Sequence, residues 1–181
     1  MGEQVRSRWA PRFIWLAIVN GAIAVGWTTF LIWPFAKPAP TMIIASGSAG
    51  TWLLFGYLLY LVVGVLGVAT TALFYQHIEV TLSKPYSGFR SGFAFAHLIL
   101  MEIGTLMATG LLMYAGYIGG AALLPTAVGG GGMGRSEVHE ILVNFVQPIF
   151  IFTVIAILGA LAGGLGYVLS GYYHGRTKTS S

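Results

Sequence analysis

The chain has 181 residues, of which 56% are hydrophobic and 8% charged, against about 25% charged in an ordinary soluble domain. With a mean hydropathy of +0.81, this composition excludes a water-soluble globular fold and makes the bilayer the expected solvent. The net charge of +4 is spread beside apolar runs, which argues against nucleic acid as a partner, and zero cysteines exclude disulfides, a thiol nucleophile and cysteine-held iron–sulfur clusters.

Residues 1–12 are polar, with Arg6, Arg8 and Arg12 ahead of the first apolar run. That run, 13–35, is uncharged and spans about 23 residues; a crossing needs about 20, and a signal-peptide core has only about 7–15. It predicts a retained transmembrane helix ending at Pro34. Arg6 stands where a myristoylation signal needs Ser or Thr, so Met1-Gly2 is not read as a lipid anchor.

Residues 36–50 read as a loop rich in Pro, Ser and Gly, and 51–76 as a second uncharged span. A polar connector follows, carrying His77, Glu79, Lys84 and Arg90. The third predicted span covers 92–120, and after it comes a loop containing four consecutive glycines at 129–132. The fourth, 137–170, opens on Ser136 as an N-cap, with Glu137 and Glu140 at the positive end of the helix dipole. It exceeds a hydrocarbon core of about 30 Å, and Pro148 is the expected kink.

Arg6, Arg8, Arg12, Lys84, Arg90, Arg176 and Lys178 lie in the terminal segments and the middle connector, whereas the other two loops hold only Lys37 and Arg135. The positive-inside rule then places both termini in the cytoplasm. The expectation is an all-α polytopic membrane protein of four transmembrane helices, one membrane domain over 1–181, in a prokaryotic cytoplasmic membrane.

Polar residues inside the spans are the candidate chemistry. Glu102, Thr105 and Thr109 share one face of the third span by their i, i+3, i+7 spacing. Glu140, Asn144 and Gln147 do the same on the fourth. The spans run in opposite directions, so Glu102 and Gln147 are expected at similar depth. The intramembrane stripe is read either as a track for protons or small polar solutes, or as interhelical hydrogen bonds worth about 0.6 kcal/mol each.

Four histidines are present. His77 and His97, near the same face, are the candidate pair for a bis-histidine haem b. His139 with Glu140, beside Glu137 and Met133, is a candidate metal site for copper or zinc. Gly116/Gly120, Gly159/Gly163 and Ala160/Gly164 read as helix-packing faces. Walker A, G-x-S-x-G and H-E-x-x-H patterns are absent.

His97 followed by L-I-L-M-E-I-G, an exit rich in aromatics and glycine, and another long helix resembles late helices of subunit I of haem-copper terminal oxidases, over residues 97–166. That subunit has many more helices and a larger histidine set for two haems and copper. The resemblance therefore implies a relative or small partner of such an oxidase, without its catalytic ligands.

The leading expectation is an accessory subunit of a larger membrane oxidoreductase, with no catalytic site of its own. Its partners would be other membrane subunits, and haem b or copper would be held by them. The alternatives are a small b-type cytochrome or quinone-reactive electron carrier, a proton or small-solute transporter built on Glu102, and a subunit of a membrane copper monooxygenase.

Overall fold

The computed structural model describes residues 6–84 and 86–176, with side chains as far as residue 170. Met1-Gly2, the His174 side chain and the end of the polar tail, with Lys178, lie outside what is described. The described residues form helices and no strand. They are α1 (Ala10–Leu31), a short α2 (Pro40–Ala45), α3 (Gly50–Thr81), α4 (Phe89–Leu123) and α5 (Arg135–Arg176). All but α2 are long and apolar enough to cross a membrane.

The ends of the spans differ from the expected ones for local reasons. Pro11 sits in the first turn of α1, where its missing N–H costs nothing, and α1 ends at Leu31 rather than at Pro34. The segment 36–50 is more than a loop. Pro40 opens α2 at its first position, and α2 buries Ile43 completely against Leu53 and Met113. Helix α3 continues past Gln76 through wide π-type turns over His77–Thr81, so His77 and Glu79 belong to the helix. Helix α5 runs through Pro148 without a break.

Contacts between successive long helices are antiparallel. Helix α1 packs on α3, α3 on α4, and α4 along its length on α5. Glycines permit the closest approaches: a Cβ at Gly116 would fall 2.1 Å from the Leu53 backbone nitrogen, and one at Gly104 2.3 Å from that of Ala156. Residues 6–12, the 82–88 connector and the end of α5 share one end of the bundle, termed here the connector end. The glycine-rich loop marks the other.

A core at the connector end gathers Trp9, Phe13, Tyr75, Ile78 and Tyr86, with the Phe13 and Tyr75 rings stacked 4.8 Å apart. Glu79 is buried at 2% exposure beside it. Its carboxylate accepts from the Ser7 hydroxyl and from the Arg8 and Trp9 backbone N–H groups, both at 2.9 Å. It thus caps the start of α1 from a distant helix, using the positive end of the dipole. Glu79→Ala strands these donors and should lower unfolding free energy by about 2 kcal/mol. Chemical denaturation in detergent micelles measures it, and an unchanged midpoint would exclude the cap.

Candidate functional site

Helix α1 carries one amide side chain inside its apolar run, Asn20, and it is fully buried. Its amide nitrogen donates to the Glu102 carboxylate at 2.9 Å and to the Gly64 carbonyl at 2.8 Å. Its side-chain oxygen accepts from the Tyr60 hydroxyl at 3.1 Å. Both donors and the oxygen of Asn20 are therefore in use, and one side chain ties α1, α3 and α4 together. The α3 segment it meets, Tyr60–Gly67, is π-helical, a backbone irregularity frequent at functional positions. Gly64 is needed there, since a Cβ would lie 2.9 Å from the Tyr60 ring.

Glu102 is thus bonded to α1, and the structure does not join it to Gln147. Its neighbours on α4 face α5 well beyond that residue: Gly104 meets Ala156, and Met101 meets Gly159. Gln147 lies about 13 Å along the axis from Ala156 at roughly 1.5 Å per residue, and about 180° around the helix from it. Glu140, Asn144 and Gln147 do share a face, as their spacing predicts, but that face is exposed and turned away from α4. Asn144 donates back to the Glu140 carbonyl at 3.0 Å. Thr105 and Thr109 are buried, and they line a cleft of about 200 Å³ between α3 and α5. Thr109 donates to the Thr105 carbonyl at 2.7 Å, and the Thr105 hydroxyl has no partner.

The histidines are also separated. His77 is exposed, whereas His97 is 8% exposed and lines a cavity of about 560 Å³ at the connector end. The Nδ1 atom of His97 lies 3.2 Å from the Tyr75 hydroxyl, and Nε2 lies 3.1 Å from the Met101 sulfur. His77 is not part of that cavity lining. His97 and Met101 are one turn apart on the same helix and cannot flank a haem from opposite sides. At the other end His139 and Glu140 are exposed, and Glu137 accepts the Gly134 N–H at 2.7 Å, capping α5. Among the described residues no group of three or more His, Asp or Glu is placed to hold a metal ion.

Three polar residues that organise the interior were not among the candidates from sequence: Asn20, Tyr60 and Glu79. The first had a signal, being the lone amide in a charge-free run. No family model, curated protein or solved structure matches this chain. The Asn20–Glu102–Tyr60 knot is a three-helix lock, the α5 stripe is an uncovered polar face, and the His97 cavity is an apolar recess with few polar groups.

Proposed function

We propose that the chain is a non-catalytic accessory subunit of a larger membrane oxidoreductase of the respiratory terminal-oxidase type. It sits in a prokaryotic cytoplasmic membrane with both termini on the cytoplasmic side. The orientation rests on charge: Arg6, Arg8, Arg12, Lys84 and Arg90 gather at the connector end, with Lys37 and Arg135 at the other. The oxidoreductase class rests on the resemblance of residues 97–166 to oxidase helices. In this reading other membrane subunits carry the haem b or copper.

The observation that carries the subunit reading is the outward face of α5. Phe145 packs on Tyr114 and Ala156 on Gly104, so Gln147 lies within the length of α4 and at membrane depth. Polar side chains at that depth face protein or a water-filled cavity, and Gln147 faces neither within this chain. A partner helix covering Glu140, Asn144 and Gln147 would give them hydrogen-bonding neighbours.

Replacing Asn144 and Gln147 together by Leu removes the polar face while leaving the α4 contact intact. The double variant should insert and fold, yet recover at least tenfold less of the partner subunits on gentle purification from the native membrane. Quantitative mass spectrometry of the purified species measures this. Equal recovery of the same subunits would contradict a docking role for α5.

A further inference from the structure

Helices α3 and α5 both pack on α4 but make little contact with each other. Between the same two helices, at the connector end, lies the cavity of about 560 Å³. That volume is in the range of small-molecule sites, which are typically apolar recesses with a few convergent polar groups. Its walls are Phe74 and Ile78 of α3, Met101 of α4, and Val168 with the Gly163–Gly164 pair of α5. Phe74 and Tyr167 meet edge to face at the rim, their ring centroids 6.4 Å apart. Both are substantially exposed, so the cavity opens sideways between α3 and α5, toward the lipid phase.

The polar groups are few and neutral in kind: the His97 imidazole, the phenols of Tyr75, Tyr86 and Tyr167, and the Thr71 hydroxyl, which already donates to the Gly67 carbonyl at 2.8 Å. Among the described residues no Lys, Arg, Asp or Glu lines the cavity, so none of them would balance a phosphate or carboxylate headgroup. Tyr86, in the connector between spans, has its phenol pushed up by burial and remains a neutral donor.

The state of His97 decides what is wanted. If the Tyr75 hydroxyl donates to Nδ1, as the 3.2 Å distance allows, then Nε2 carries the proton. Its hydrogen-bonding neighbour among the described residues is the Met101 thioether, a weak acceptor. In the other tautomer a bare Nε2 would face sulfur with no donor at all, the costlier arrangement for a buried polar atom. A buried N–H therefore borders a lipid-accessible apolar cavity without a strong acceptor. Gly163 sets this position, because a Cβ there would fall 2.2 Å from Nδ1.

We propose that this cavity binds a lipid-phase ring compound bearing a carbonyl oxygen, of the quinone class. The carbonyl accepts from His97 Nε2–H, the ring lies against the Phe74 and Tyr167 wall, and an apolar tail leaves between α3 and α5. The site involves neither Asn144 nor Gln147 and stands independently of whether a partner covers α5.

The test uses the full chain in phosphatidylcholine nanodiscs, titrated with decyl-benzoquinone and followed by quenching of its tryptophan fluorescence. Saturable quenching is expected for the wild type. Gly164→Leu should abolish the saturable component: a Cβ at Gly164 meets nothing within 4 Å, so the side chain fills the cavity without disturbing the helix. His97→Leu should weaken binding about tenfold, the equivalent of one hydrogen bond. Gly164→Leu keeps the test decisive if His97→Leu fails to fold. Linear quenching of equal slope in the wild type and Gly164→Leu would overturn the proposal and leave the cleft to lipid acyl chains.

Discussion

Asn20→Leu should destabilise the bundle by about 3 kcal/mol, among the largest effects of any single side chain. The substitution leaves the Gly64 carbonyl without its cross-helix partner, leaves the Tyr60 hydroxyl only the longer bond to the backbone carbonyl of residue 20 at 3.3 Å, and removes the donor to Glu102. Buried polar groups left unpaired cost about 1–3 kcal/mol each. A hydrogen bond between membrane helices averages only about 0.6 kcal/mol, because the separated helices find other partners. The combined loss therefore lies well below three full penalties. Unfolding in mixed micelles with rising denaturing detergent measures it. Glu102→Gln makes the contrast, since an amide oxygen at that position still accepts from Asn20. It should stay within about 1 kcal/mol of the wild type. A Glu102→Gln loss as large as that of Asn20→Leu would show that the carboxylate does more than accept this bond.

Gly104→Val should be at least as damaging, by about 3 kcal/mol or more. Its Cβ would fall 2.3 Å from the Ala156 nitrogen and 2.7 Å from the Phe152 carbonyl oxygen, both backbone atoms that cannot rotate aside. Helices α4 and α5 would have to separate along the seam that holds α5 to the bundle. Overpacking in a close-packed interface typically costs about 1–3 kcal/mol and sometimes more, and here the obstruction is backbone. Gly110→Ala is the matched control: a Cβ there has nothing within 4 Å, and the change should stay within about 1 kcal/mol. Thermal unfolding followed by circular dichroism compares the pair. Equal melting temperatures for the two variants would refute the tight seam.

The four helices long and apolar enough to cross a membrane were legible because hydropathy over a window of that length marks them directly. Span ends were less so, since α3 runs on into polar residues up to Thr81 and α2 arises inside a segment with loop composition. The rotation of each helix was the harder quantity. A helix apolar all round carries no amphipathic signal, so the shared face of Glu140, Asn144 and Gln147 was readable while its direction was not. That direction is fixed by Gly159 and Gly163, which lie close on the α4 backbone and the His97 ring. Ala160 and Gly164, equally spaced, are exposed and border the cavity instead of a helix seam. Small-residue spacing marks possible seams without choosing among them.

Glu102 was conspicuous as a charge among apolar residues, but its partner was hidden. Asn20 is neutral, has no spaced companion and lies far away in sequence. Pairing across that separation depends on three-dimensional register, which no local pattern encodes. Glu79 was assigned to a connector because its neighbours are polar, yet it is among the most buried residues of the chain.

The decisive measurement is the composition of the native species: the protein purified gently from its own membrane, its subunits weighed by native mass spectrometry and its oxidised-minus-reduced spectrum recorded. A multi-subunit assembly with a haem or copper signal, absent from the chain expressed alone, is the expected result. A native species containing only copies of this 19.3 kDa chain, without other subunits, would contradict an accessory role.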